Sequence, residues 1–269
     1  METILIPTDF SPAATNALKY GIELAKYFDS KIVLVNAYPI PPVTYDVGIP
    51  LDMVKGMQDS SEGALNELKS KYPDFDIECF SAMGFAYDVI EQASKKYNPD
   101  LIVMGIVGEA GQLKKHVIGS TAVSVAKKLN VPTFIIPENV KYSHIRKIAF
   151  ACDYDKTEES AMIYVVKYFG NVFDAEVNII NVEPYHEVVT VDKWFTAEYL
   201  NEKLKTVKHN LHFLCNEDVT DGIEEYLKSN QTDVLMINPK KHDLFHTLFK
   251  ENVTKELVFK VNLPILAIH

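Results

Sequence analysis

The chain has 269 residues, 47% of them hydrophobic and 24% charged, which is enough apolar material for two cored domains and unlike a disordered polymer. A formal net charge of −10 excludes a broad nucleic-acid surface, because neutralising phosphates takes clustered Lys and Arg. The opening METILIPTDF has no basic region ahead of its short apolar run, and no stretch approaches the roughly 18 apolar residues of a membrane span, so a cytoplasmic protein without a membrane partner is expected.

In chain order, TILIP from Thr3 reads as a strand, followed by Thr8 and Asp9. Ser11 and Pro12 then give a helix cap with proline at the first helical position. Ala14, Leu18, Gly21, Ala25 and Phe28 recur at helical spacing and form one apolar face. KIVLVNAYP from Lys31 is a second strand. Tyr38 to Pro50 is Pro-rich and irregular, either a flap over the strand ends or a passive crossover. A weaker strand lies at about Asp76 to Phe80, and Leu101 to Met104 is continuously apolar, as parallel strands covered on both faces are. VPTFIIP from Val131 is the next strand, and the polar ENVKYSH, Glu138 to His144, reads as a boundary.

After that boundary the pattern repeats. KIAFACDYD from Lys147 echoes the first strand, with Asp153 answering Asp9, and EVNIINVEP from Glu176 echoes the second. DVLMIN from Asp233 matches DLIVMG, and LPILAIH from Leu263 matches VPTFIIP, with a weaker strand at Asn210 to Cys215. Asp155 and Glu158 have capping-box spacing for the helix after the repeated first strand. The fold class that follows is α/β: two Rossmann-like domains, residues 1–138 and 145–269, each an open parallel five-stranded sheet with helices on both faces. Cys79, Cys152 and Cys215 have no CxxC spacing and lie in strand-like apolar contexts, so all three read as core.

Gly105 to Thr121, GIVGEAGQLKKHVIGST, stands directly behind a buried strand, at the carboxyl end where open parallel sheets take their ligands. Gly105 and Gly108 permit a turn with no Cβ in the way, and backbone N–H groups in such a turn converge on an anion. Gly119, Ser120 and Thr121 open a helix running through Ala126, whose N–H groups and positive dipole end face the same space. The stretch is neither a P-loop nor a dinucleotide fingerprint, and helix starts and tight turns also use glycine for structural reasons.

PTDF at the end of the first strand, VNA at the end of the second, and the glycine stretch after the fourth together resemble the universal stress protein family, over both halves of the chain. The resemblance implies that ATP or a related adenine nucleotide is the ligand; Mg²⁺ belongs to the slow-ATPase alternative, in which Asp9 or a loop residue would assist it. By position the implied cofactor-binding residues are Pro7, Thr8, Asp9, Ala37, Gly105, Gly108, Gly119, Ser120 and Thr121. Ten residues separate Gly108 from Gly119, one more than the family pattern, which either bulges into solvent or shifts the glycines relative to the helix start. In the second copy Gly105, Gly108, Gly119 and Ser120 become Asn238, Lys241, Asn252 and Val253, so that domain is expected to be degenerate. The resemblance further implies pairing of the two domains through their last strands, an intramolecular pseudo-dimer with Phe134 to Ile136 near Ile265 to Ala267, and a homodimer as the alternative.

His242 and His246 share a spacing that suits a metal, but a surface pair fits them as well, and no metal site is assigned. No GxSxG, HExxH or other catalytic arrangement is present, so no catalytic residue is assigned either. The expectation is a cytoplasmic stress-response switch that binds an adenine nucleotide in its amino-terminal domain, rather than an efficient enzyme. The alternatives are a nucleotide-free interaction protein for a protein partner or apolar ligand, and a slow ATPase.

Overall fold

The computed structural model describes residues 1–41, 51–106, 120–152, 160–183, 191–238 and 261–268. The first half runs β1 (Thr3–Pro7), α1 (Pro12–Phe28), β2 (Lys31–Tyr38), α2 (Leu51–Ser70), β3 (Ile77–Met83), α3 (Ala86–Tyr97), β4 (Leu101–Ile106), α4 (Ser120–Lys128) and β5 (Thr133–Pro137). The second runs β6 (Lys147–Ala151), α5 (Ser160–Val172), β7 (Glu176–Glu183), α6 (Val191–Lys203), β8 (His209–Cys215), α7 (Val219–Ser229), β9 (Val234–Ile237) and β10 (Ile265–Ala267). The capping box at Asp155 and Glu158, most of the Pro-rich segment and the pair His242 and His246 lie outside the described residues.

Local chemistry sets the first helix. The Ser11 Oγ accepts the Ala14 N–H at 3.2 Å, Pro12 follows it, and Asp29 closes the other end in the left-handed conformation at φ 54°. Its buried residues include Ala14, Leu18, Gly21 and Ala25, the face that periodicity picks out. The strands obey a period of two. In β1, Ile4 and Ile6 enter one core with Leu34, Val103 and Phe134, while Leu5 enters the other with Val33, Ile102 and Ile135. β3 runs three residues beyond its expected end at Phe80, because β2 continues to offer a ladder as far as Tyr38 opposite Met83.

All ten described strands form one sheet in the order β3-β2-β1-β4-β5-β10-β9-β6-β7-β8. Within each half the pairing is parallel, and at the centre β5 and β10 are antiparallel, with Ile135 opposite Ile265 and Phe134 opposite Leu266. An aromatic seam follows the same junction on one face. Phe173 lies 5.7 Å from Tyr27 and 5.6 Å from Phe28 between ring centres, and the Tyr27 hydroxyl donates to the Val172 carbonyl at 2.7 Å. The connection between β5 and β6 is tied to α1: the Asn16 side-chain amide donates to Pro137 O at 3.0 Å and Val140 O at 2.7 Å. Tyr142 packs on Tyr20 at 5.1 Å.

The cysteine expectation is corrected at one position. Cys152 is buried and Cys79 half-buried, but Cys215 is exposed, because it ends β8, an edge strand whose outer side no other described strand covers. No helix among the described residues is long and apolar enough to cross a membrane.

Candidate functional site

Strand order places β1 between β2 and β4, and the chain turns to opposite sides of β1 in reaching them. This reversal is where a doubly wound sheet opens a crevice at its carboxyl edge. Continuing the registers Pro7 to Val35 and Ile4 to Leu101 sets Thr8 level with Asn36 on one side and Gly105 on the other. Asp9 is then level with Ala37. Pro7, Thr8, Asp9, Ala37 and Gly105 therefore converge on one rim, and Ser120 and Thr121 form the first turn of α4. Gly108 and Gly119 lie outside the described residues.

Local bonds shape the turn out of β1. The Phe10 N–H donates to Thr8 Oγ1 and the Ser11 N–H to Asp9 Oδ1, each at 3.0 Å. Phe10 takes a left-handed φ of 64°, uncommon for a bulky side chain. Thr8 is buried and clamped twice by β2: its N–H donates to Val35 O at 2.8 Å, and its carbonyl accepts from Asn36 Nδ2 at 2.7 Å. A trans peptide points its C=O and N–H in opposite directions. Holding the Thr8 carbonyl toward β2 therefore turns the Asp9 N–H away, and among the described residues it meets no acceptor. Asp9 itself is exposed, with one carboxylate oxygen engaged by Ser11.

Gly105 has a second duty that the sequence reading did not assign. A Cβ there would stand 2.3 Å from Ala13 O and 2.9 Å from Ala14 N, so glycine is what lets the first turn of α1 lie against β4. At the same level in the second half, the registers Ala151 to Ile180 and Ala151 to Ile237 align Asn181, Cys152 and Asn238. Asn238 is buried there, its amide donating to Met162 Sδ of α5 at 3.3 Å. Where Gly105 lets the backbone of α1 lie directly on β4, the second half has a buried side chain in contact with α5. Asp153, Lys241, Asn252 and Val253 lie outside the described residues.

Sequence reasoning also missed Asn36, Ser61 and Ser81, which are hydrogen-bonded beneath the rim. A signal existed: a polar residue interrupts the second buried strand at the same place in both copies, Asn36 in KIVLVNAYP and Asn181 in EVNIINVEP. Two hollows lie elsewhere. One, at the amino end of the strands, is lined by Glu2, Asp29, Asp74 and Asp76 together with Lys26 and Lys31, beside the carboxyl end of α1, whose dipole disfavours an anion. The other sits beneath the end of α7 around Asn230 and Asn262. The rim differs from both in presenting a backbone donor, the Asp9 N–H, that meets no acceptor among the described residues.

Comparison with known proteins converges on one family. The model of the universal stress protein family matches residues 1–137, just over half of the chain. Universal stress protein MJ0531 of Methanocaldococcus jannaschii is 28% identical over 147 residues, covering 52% of this chain and 84% of that protein. The universal stress protein E homolog of Haemophilus influenzae is 28% identical over 115 residues, covering 41% of this chain and 37% of that protein, so the match spans little over a third of that relative. A solved universal stress protein from Archaeoglobus fulgidus shares the fold over 99% of this chain and 97% of its own, with a TM-score of 0.78 at 20% identity. The strand order, the rim at the β1 and β4 reversal and the family match over the first half lead to one conclusion: the chain belongs to the universal stress protein family.

Proposed function

We propose that the first half, residues 1–138, binds ATP or a related adenine nucleotide at the rim formed by Pro7, Thr8, Asp9, Ala37 and Gly105. By the family resemblance Gly108, Gly119, Ser120 and Thr121 belong to the same site, and the protein works in the cytoplasm as a stress-response switch. The observation that carries this reading is the Asp9 N–H, turned out of the sheet at the strand reversal and without an acceptor among the described residues. Backbone donors of this kind hold an anion without a side-chain charge. The second half, residues 145–269, is a degenerate copy in which Asn238 stands in the place of Gly105. The antiparallel contact of β5 with β10 takes the role that contact between two separate chains would otherwise have, an intramolecular pseudo-dimer. Any hydrolysis is slow, since the glycine stretch offers mainly backbone donors rather than positioned charge at a transferred phosphate and a held water, and turnover with Mg²⁺ is expected far below the roughly 10 per second of a typical enzyme.

The test is direct. Denaturing the purified protein should release adenine nucleotide detectable by absorbance and chromatography, and calorimetry with ATP should show one site per chain. Gly119→Val should abolish that site, by placing a branched side chain at the phosphate position and restraining the helix start, and Asp153→Ala should leave it unchanged. Two equivalent sites would overturn the assignment to the first half.

A second reading rests on a separate observation. Phe10, Ile40, Leu51, Met53, Met83 and Phe85 are all exposed on the same carboxyl side of the first half, Leu51 at 84% and Phe85 at 73%. Large apolar side chains gathered at one edge favour an interaction protein for an apolar partner. No released nucleotide and no calorimetric signal with ATP would select that reading.

A further inference from the structure

Ladder pairing between β1 and β2 stops at Pro7 opposite Val35. One residue on, a side chain takes over the work of the ladder: Asn36 Nδ2 donates to the Thr8 carbonyl at 2.7 Å. That carbonyl can only accept, so the nitrogen of the amide must face it and Oδ1 must face the other way. There Oδ1 accepts from the Ser61 hydroxyl at 2.6 Å. The Ser61 proton is thereby committed, and in the 2.6 Å contact between Ser61 Oγ and Ser81 Oγ the donor is Ser81. The result is a directed chain of hydrogen bonds from Ser81 on β3, through Ser61 on α2 and Asn36 on β2, to the Thr8–Asp9 peptide at the rim. Thr8, Asn36 and Ser61 are all buried, where each bond polarises the next.

The second half supplies an internal comparison. Asn181 repeats the contact of Asn36, donating to the Cys152 carbonyl at 3.3 Å, but its buried Oδ1 has no partner among the described residues. Among the described residues the amide occurs twice and the hydroxyl behind it only once, in the half whose rim keeps Gly105. Ser61 also marks where α2 meets the sheet. No residue from Leu51 to Ser60 is buried, and Ser61 is the first that is.

We infer that Ser61 is a positioning residue of the strand-end site: acting through Asn36 it fixes the Thr8–Asp9 peptide, and by the same bonds a bound nucleotide holds α2 against the sheet. The nucleotide part of this inference rests on the function proposed above. The positioning part stands on the hydrogen bonds alone.

The experiment uses the full chain as wild type and as Ser61→Ala, Ser81→Ala and Asn181→Ala, with ATP titrated by calorimetry and amide exchange followed by mass spectrometry. Ser61→Ala should raise the Kd for ATP about tenfold, the scale of one lost buried hydrogen bond. It should also speed exchange at residues 9–11 in protein without ATP, and abolish the slowing of exchange that ATP brings at residues 51–65. Ser81→Ala, which leaves the bond from Ser61 to Asn36 in place, should do the same to a smaller degree. Asn181→Ala, just as buried, should lower the melting temperature while leaving both the Kd and residues 9–11 as in wild type. Wild-type affinity in Ser61→Ala, or an equal loss of affinity in Asn181→Ala, would overturn the inference. If wild type takes up no ATP, the nucleotide reading fails by itself, and exchange at residues 9–11 still decides the positioning role: unchanged exchange in Ser61→Ala rejects it.

Discussion

Cys152 and Cys215 both follow apolar strand residues, yet one is buried and the other open to solvent. Burial also pushes the Cys79 thiol above its ordinary pKa, which lowers its thiolate fraction. A thiol reagent at neutral pH should therefore modify Cys215 first, Cys79 slowly and Cys152 only on unfolding, an order that mass spectrometry of digested samples reads directly. A charged residue gives a second prediction. Hydrogen bonds from Lys31 and then from Tyr97 hold the Glu78 carboxyl below its usual range, and the bond to Glu78 raises Lys31. The Glu78 contribution to stability is complete above the ordinary carboxylate pKa and fades as pH falls through the lowered folded value. The Lys31 contribution is complete below the ordinary lysine pKa and is lost as pH rises through its raised one. Both side chains are more than a third exposed, so Glu78→Gln should cost less than about 1 kcal/mol in urea melts at pH 7, and the difference should shrink toward pH 3. At this scale the sequence is only partly legible. The first-strand carboxylate and the glycines show in short patterns, whereas the bond from Ser61 to Asn36 joins residues 25 apart that only the packing of α2 brings together.

Elements were easier to read, because periodicity belongs to the segment itself. α1 carries its own cap and apolar face, and the buried strands are continuous apolar runs. β3 was read short since its sequence IECFSAM has a mixed pattern, and its far end depends on the ladder that β2 supplies. What the segments could not reveal is how closely they approach. The contact of α1 with β4 at Gly105 leaves no room for a methyl group against the Ala13 carbonyl. Gly105→Ala should push the first turn of α1 outward and cost about 1–3 kcal/mol, the range for overpacking, together with a loss of ATP affinity as the turn at Asp9 shifts. Equilibrium denaturation and calorimetry on the same preparation would check both. Unchanged stability would mean that the backbone yields more readily than the 2.3 Å approach indicates.

For the molecule as a whole, the repeated blocks give the order of the elements, but the continuity of the sheet comes only from the pairing of β5 with β10. Both hydrophobic cores run from one half into the other, Phe134 and Phe169 meeting across the junction at 6.4 Å. The halves should therefore unfold together. Leu266→Ala, at a fully buried junction residue, should cost about 2–5 kcal/mol, and amide exchange in β1 and β7 should rise over the same range of denaturant. Separate ranges for the two would show that the shared core does not couple them. The junction also bears on how the chain is made. Phe134 and its partner Leu266 are 132 residues apart, and translation at about 5–20 residues per second puts roughly 7–26 seconds between their syntheses. Throughout that interval the nascent first half carries an unpaired apolar edge, Phe134, Ile135 and Ile136, ready to join any other strand it meets. The structural unity of the finished protein thus has a cost in the ribosome's time, a window in which the growing chain depends on chaperones or on low crowding to reach its own remaining strand.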